Sequence, residues 1–467
     1  MLWFRRDLRL HDHPALVAAV RAAGDSGVLP LFVLDPTLWL AAGPPRQTWL
    51  LRSLAALDES LDGHLVLRLG DPADVVPLIA REVAAEQVHV SADAGPYGRR
   101  RDDRVQRALA AAGRQLVRTG TPYAIGPGSL MTGQGTPFQV FSPFFRAWTA
   151  QGWPAPAEVP VVRPPRVSHW ADGVRGEPLP PEPDLAGIRL PAAGEAAARR
   201  RWATFRAAAL AGYADQRDRP DLDRTSQLST HLKYGELHPR TLLADLAAGP
   251  AAGPAGGADP APDPESVRRF RAELCWREFY ADVLWHRPDT ARQDLRPQFA
   301  AIRHDPPGEQ FDAWCRGRTG FPMVDAGMRQ LLAEGWMHNR VRMLTASFLV
   351  KDLHLQWQQG ARWFMRWLRD GDLASNQHGW QWTAGCGTDA APYFRIFNPV
   401  GQGLKFDPDG DYVRRYVPEL AHLAGASAHQ PWEHPDGYAH GYPERIVDHA
   451  VERAEALQRY GQLRDGR

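Results

Sequence analysis

The stretch "HLVLRLGDPADVVPLIAREVAAEQVHVSAD", residues 64–93, holds a complete structural unit. An apolar run ends at Gly70. Asp71 stands where its side chain can accept from the free N–H groups of a helix, and Pro72 takes the first helical position, which needs no N–H. A second apolar run closes the unit at Val90. Strand, helix and strand in that order form a crossover between parallel strands. The alternation extends outward: "VLPLFVLD" (28–35) and "QLVRTG" (115–120) read as further strands, and 46–60 and 98–112 as amphipathic helices. Residues 1–125 are therefore expected to form an α/β domain whose parallel sheet is covered on both faces. Such sheets bind ligands at the carboxyl ends of their strands.

Residues 126–195, with the aperiodic run "GWPAPAEVPVVRPPRV" (152–167), read as an extended surface connection. From 196 to 467 strand-like runs vanish and helical spacing dominates. In "VRMLTASFLVKDL" (341–353) it sets Val341, Leu344, Phe348 and Leu349 on one side. The low-complexity run "AAGPAAGPAGGADPAPDPES" (247–266) is expected to be a surface loop. The organisation is an α/β domain, a linker and an all-helical domain.

At 467 residues, two or three domains are the prior. Composition is that of a soluble globular protein, with 44% apolar and 23% charged residues. A net charge of +1 carries no footprint of a nucleic-acid binder. Contact with DNA would have to come from local clusters such as "ARRRWATFR" (198–206) and "RRFR" (268–271). Cys275, Cys315 and Cys386 form no C-x-x-C, which argues against disulfides and zinc and for a reducing cytoplasm. The N-terminus is charged from its fifth residue, unlike a signal peptide, and no apolar run is long enough to span a membrane. Each G-x-G pair lacks the third glycine of a dinucleotide loop, and neither a phosphate loop nor H-E-x-x-H occurs. Residues 370–381 fail as a calcium loop at Ala374 and Gln381, so no metal is expected.

Four helical segments are dense in polar and aromatic residues: "RTSQLSTHLKYG" (224–235), "RRFRAELCWREFY" (268–280), "GWMHNRVRM" (335–343) and "DGDLASNQHGWQW" (370–382). Polar groups on core-facing helices must be satisfied. A large polar ligand would do this, and so would a network of internal salt bridges.

Together with "LWFRRDLRLHD" (2–12), "ASFLVKDL" (346–353) and "TDAAPYFRIFNP" (388–399), these motifs resemble the photolyase/cryptochrome family. Within it they are similar to the bacterial class I cyclobutane-dimer photolyases, in order and over nearly the whole chain. The resemblance implies a Rossmann-like α/β domain, an all-α FAD-binding domain and a monomeric light-driven lyase. Its cofactor would be FAD, active as FADH⁻, and its substrate duplex DNA containing pyrimidine dimers. Two alternatives stand beside it: a cryptochrome-type light sensor and a 6-4 photoproduct photolyase. Asn376, and a chain that ends soon after "YPERIVDHAVERAEALQRYGQL", favour repair over sensing; Asn339 after His338 speaks against the histidine pair of 6-4 chemistry.

Residue by residue, the resemblance gives Tyr213, Thr225, Ser226, Leu228 and Ser229 to the diphosphate and ribityl chain, with Gln227 where some relatives carry Arg. Helix capping is the plainer reading of 225–229. Arg277 and Asn339 are counted with the cofactor residues. Arg342 and Asp370 match a salt bridge over the flavin ring, Asp372 an acid along its edge, and Asn376 an amide facing N5; a solvated turn is the plainer reading of 370–372. Trp380 and Trp357 match successive electron donors, while Trp363 and Trp367 read as core. Glu273, Trp276, Asn339, Met343 and Trp382 match the lesion cavity, with Arg217 and Arg340 on flanking phosphates. Trp380 and Trp382, two apart on a helix, should face different sides. Glu273 matches a residue that bonds the pyrimidine carbonyls, and it could instead pair with Arg277 four residues on.

One departure concerns electron supply. His304 holds the place of the usual outer tryptophan, so photoreduction is expected to be slow or to leave through Trp285 or Trp363. "DAGPYGRRRD" (93–102) with "LKYG" (232–235) resembles members that bind an 8-hydroxy-5-deazaflavin antenna, through Arg46, Asp93 and Lys233. A 5,10-methenyltetrahydrofolate antenna or an empty site are the alternatives, and Arg99–Arg101 also fit a solvated helix face.

Overall fold

A computed structural model of the chain describes residues 1–158, 174–249, 263–389 and 395–465. Most of the low-complexity run, part of the proline-rich segment and the middle of "TDAAPYFRIFNP" lie outside the described residues.

The unit 64–93 forms as its residues dictate. Strand β3 (Val66–Leu69) leads to helix Pro72–Glu82, where Asp71 caps Ala73 N at 2.9 Å, and strand β4 (Gln87–Val90) follows. With β1 (Leu2–Phe4), β2 (Pro30–Leu34) and β5 (Gln115–Arg118) they make a parallel sheet of order β3-β2-β1-β4-β5. The central strand β1 was absent from the strands read in the sequence. Three residues at a chain terminus are too few to show a period. Alternation sorts its side chains: Leu2 and Phe4 join Leu34, Trp49 and Leu54 beneath one face, and Trp3 joins Val33, Ile79 and Leu109 on the other.

The second domain is helical from Glu195 onward. Residues 126–195 are not all connection, because Phe141–Gln151 is a helix. Its Phe141, Phe144 and Trp148 pack with Phe270, Cys275 and Phe279 of the long helix Pro264–His286, so the segment contributes to the helical core. Apolar burial of three aromatic side chains overrides a proline- and glycine-rich surrounding sequence. The stripe Val341, Leu344, Phe348 and Leu349 is fully buried as expected. No helix among the described residues is long and apolar enough to cross a membrane.

Candidate functional site

A cavity of about 490 Å³ opens in the helical domain. It is bordered by three of the four polar-aromatic segments along their helices and by the fourth at the start of helix Ser229–Tyr234. Two helices begin at its wall with side-chain caps. His338 Nδ1 accepts from Arg340 N at 3.2 Å ahead of helix Asn339–Lys351, and Asp372 Oδ1 accepts from Ser375 N at 3.1 Å ahead of helix Leu373–Ala384. The cavity therefore sits where N–H groups and side-chain donors converge.

Its inner wall carries the expected acids, and they are not solvated. Asp370 Oδ2 accepts from Arg342 Nη2 at 2.8 Å and from Ser229 Oγ at 2.6 Å. Burial pushes the Asp370 carboxyl up, but the Arg342 charge and these bonds hold it below the ordinary carboxylate range. Asp370 Oδ1 is buried and without a hydrogen-bond partner among the described residues. Asp372 Oδ2 takes Arg6 Nη2 from the α/β domain at 2.6 Å. Asn376 donates through Nδ2 to Ala361 O at 3.1 Å and Gln377 Oε1 at 2.8 Å, which fixes the amide against the wall. Arg277 lines the cavity, donates to Pro122 O and Leu232 O, and lies over Tyr123 at 4.4 Å. Leu228 at the start of helix Ser229–Tyr234 supplies no side-chain cap, although Ser226 Oγ accepts from Leu228 N at 3.4 Å. Gln227 turns its amide to Asp223 at 2.9 Å.

The outer part is aromatic and charged. Trp276 stacks on Phe141 at 3.7 Å with the rings nearly parallel, leaving its other face to the cavity, and Trp382 and Met343 border the same space. Glu273 pairs with Arg217, Nη1 to Oε1 at 2.6 Å, and not with Arg277. Arg277 is held by two backbone carbonyls instead, which outweighs the helical spacing that suggested the pair. Asp218 continues the chain of charges, 3.8 Å from Arg217 Nε and 2.8 Å from Arg340 Nη2. His338 is buried, and burial lowers its pKa to about 4, so its ring is neutral at pH 7.

Two regions of the sequence match models of known domains: residues 1–163 match DNA photolyase, and residues 270–462 match the FAD binding domain of DNA photolyase. A deoxyribodipyrimidine photo-lyase from Streptomyces griseus is 42% identical over 463 residues, covering 97% of this chain and 96% of its own. The chain belongs to the DNA photolyase family. Among solved structures, a bacterial class III photolyase from Agrobacterium tumefaciens aligns with TM-score 0.87 and 37% identity over 99% of this chain and 97% of its own. A cryptochrome from Synechocystis aligns with TM-score 0.83 and 27% identity over 98% of both chains. The likeness to a class III enzyme lends no support to the expected class I assignment.

The helical domain is thus the FAD-binding domain of a photolyase-family protein, and its cavity fits that group. It offers hydroxyls at Thr225, Ser226 and Ser229, an arginine at 342 and an unpartnered buried acceptor at Asp370. Every cofactor and lesion residue expected from the motifs borders this one cavity, Trp380 included. Trp357 does not. It borders a second cavity of about 30 Å³ together with His304. Trp363 and Trp367 pack against the core at 5.7 Å from each other, as expected of fillers, while Trp285 lies under Arg99 at 3.8 Å.

The three antenna residues fare differently. Lys233 borders the large cavity, and burial followed by Arg46 and Arg6 pushes its pKa down to about 7. Arg46 donates to Ala41 O at 2.9 Å, and Asp93 is bound by Arg101 at 3.1 Å; neither borders the large cavity. Arg101 is buried on Asp93 and Asp102, so it is not part of a solvated face. Asp218 escaped sequence reading because its partner Arg340 lies far along the chain, and Phe141 because it stands on a segment taken for linker.

Proposed function

We propose that this protein is a light-driven deoxyribodipyrimidine photo-lyase that splits cyclobutane pyrimidine dimers in DNA. The observation that carries the reading is convergence: Glu273, Trp276, Asn339, Met343 and Trp382 border the same cavity as Arg342, Asp370, Asp372 and Asn376. A dimer extruded from the duplex, as in base-flipping enzymes, would enter between Trp276 and Trp382, whose ring faces suit stacked pyrimidines. Paired with Arg217, the Glu273 carboxylate can only accept hydrogen bonds, so it meets pyrimidine N–H groups and not the carbonyls. Arg217 and Arg340 would hold the phosphates on either side of the extruded pair. FAD bound in its reduced form supplies the photoexcited electron that opens the cyclobutane ring. Ser229, Arg342 and Asp370 would hold it, and the fixed amide of Asn376 would border its reactive edge without adding charge. The apolar and aromatic lining excludes water, which strengthens the fixed dipoles around the reacting ring.

Trp380, next to the cavity, and Trp357, one step outward, would serve as electron relay for bringing oxidised cofactor to the reduced form. An antenna is read at the junction of the domains near Arg46, Asp93 and Lys233, with 8-hydroxy-5-deazaflavin favoured by the residues quoted above. The buried, unpartnered Arg46 Nε supports an anionic group there. The protein is taken to act as a monomer.

A neutral, buried His338 that caps a helix is unsuited to supply a proton, which weighs against 6-4 chemistry. The test is loss of dimer from an oligonucleotide under blue light and none in darkness. Flavin absorption without dimer loss would favour the sensor reading, and the same spectrum separates deazaflavin from folate.

A further inference from the structure

Three indoles belong to the core cluster behind the cavity, Trp380 alone of the three bordering it, and their N–H groups meet different partners. Trp380 is 2% exposed, and its Nε1 has no acceptor among the described residues. Trp314 lies edge-on to Trp380 at 6.2 Å and donates to a backbone carbonyl, Thr345 O, at 3.0 Å. Trp357 donates to a carboxylate: Nε1 is 2.7 Å from Asp294 Oδ1. The Trp380 ring rests on the backbone of Gly360, three residues along the helix that Trp357 begins. On its outer side Trp357 borders the small cavity, and Asp294 is the one carboxylate in that lining.

An indole that has lost an electron is a far stronger acid than the neutral ring. A neutral carbonyl is too weak a base to take its proton, and Trp380 Nε1 has no acceptor among the described residues. A carboxylate at 2.7 Å is both near enough and basic enough. We infer that Asp294 is the proton acceptor that traps the electron vacancy on Trp357, which makes this residue the end of the relay. The inference rests on the relay reading given above. The step balances: Trp380 would give one electron to the photoexcited oxidised flavin held by Ser229, Arg342 and Asp370, and would be refilled by one from Trp357. The N–H bond of Trp357 then breaks, its electron pair stays on the ring nitrogen, and the proton bonds to Asp294 Oδ1. What remains is a neutral indolyl radical beside a neutral carboxyl group.

Such a trap removes the need for a third indole. His304 occupies that place, bonded through Nδ1 to His354 O at 3.3 Å, and burial lowers its pKa so that it adds no positive charge at pH 7. Two further polar groups in that lining do not compete for the proton. Cys386 is held as a thiol by burial, and Arg459 is bound to Asp305.

The test uses the full-length protein carrying oxidised flavin, followed by time-resolved absorption and infrared spectroscopy after a flash. Wild type is expected to form a deprotonated indolyl radical, more slowly in D₂O, together with a new protonated-carboxyl band. Asp294→Asn should leave the radical protonated and shorten its lifetime by about 10²-fold, the lower end of what a positioned proton acceptor contributes; Asp294→Glu should restore both. Absence of the carboxyl band in wild type, or an Asn variant with unchanged radical spectrum and lifetime, overturns the inference. Trp357→Phe separates the two levels. If that variant keeps the same radical, the relay reading falls; if it loses the radical while Asp294→Asn changes nothing, only the proton acceptor does. Should the Asn variant release flavin, the wild-type band and the D₂O effect decide by themselves.

Discussion

Arg6 Nη2 lies 2.6 Å from Asp372 Oδ2, so an arginine that follows the central strand of the parallel sheet is bonded to an acid bordering the flavin cavity of the other domain. Burial pushes the Asp372 carboxyl up, but Arg6, then Arg277, and the Ser375 N–H pull it further down, to about 2. Because the folded value lies below the ordinary 3.8, the stabilisation is complete above that pH and is lost as pH falls toward 2.

The full shift corresponds to about 2 kcal/mol, of which about 1 kcal/mol is gone by pH 3. Urea unfolding of wild type and Asp372→Asn at pH 5 and pH 3 should show their difference narrowing by that amount. An unchanged difference would mean that the ion pair contributes nothing to the fold.

Replacing Glu273 by Gln removes a charged acceptor from the lesion cavity. Binding to a dimer-containing duplex should weaken by about 2 kcal/mol, roughly 30-fold in Kd. Binding to undamaged duplex should not weaken, because the same change leaves the rim one charge more positive. Fluorescence anisotropy on the two duplexes reads both, and an equal loss on each would place Glu273 outside lesion recognition.

Glu273, Arg217, Asp218 and Arg340 alternate in sign along the rim and sum to zero. Asp218→Asn unbalances the row by one positive charge. The dependence of undamaged-DNA affinity on salt should steepen by about one unit of log Kd per log salt. Because these side chains are partly exposed, stability should change by less than about 1 kcal/mol. A salt slope equal to that of wild type would show that the rim does not meet phosphates.

Gly360 leaves room for the donor tryptophan. A methyl group there would come within 2.1 Å of Trp380 Cη2 and 2.5 Å of Leu349 Cδ2. Gly360→Ala should lower stability by about 1–3 kcal/mol through overpacking, measured as a urea midpoint, and slow flavin photoreduction by displacing the ring. Wild-type values for both would show that the wall yields freely.

Local rules carried much of the reading. Asp71 and Pro72 announced their helix, and the stripe through Val341 and Leu349 announced a buried face. Where the rules failed, the deciding contacts lay far apart in the chain. Arg217 meets Glu273 across 56 residues and Trp357 meets Asp294 across 63, and no spacing pattern encodes such pairs. Strand β1 failed for the opposite reason: it is too short to show a period, and only its place between β2 and β4 makes it central. The antenna residues were read as one set apart from the flavin site; Lys233 borders the large cavity, and Arg46 and Asp93 lie outside it, bound within their own domain.

The helix Phe141–Gln151 bears on how this enzyme could be divided. Phe141 covers the back of Trp276, so the wall of the lesion cavity is built partly from residues ahead of the apparent start of the helical half. A fragment cut at residue 196 would carry its flavin contacts and still lack the ring stacked on Trp276. Exchange of N-terminal domains between relatives must therefore join upstream of Phe141, or the graft will lose the ring that backs Trp276.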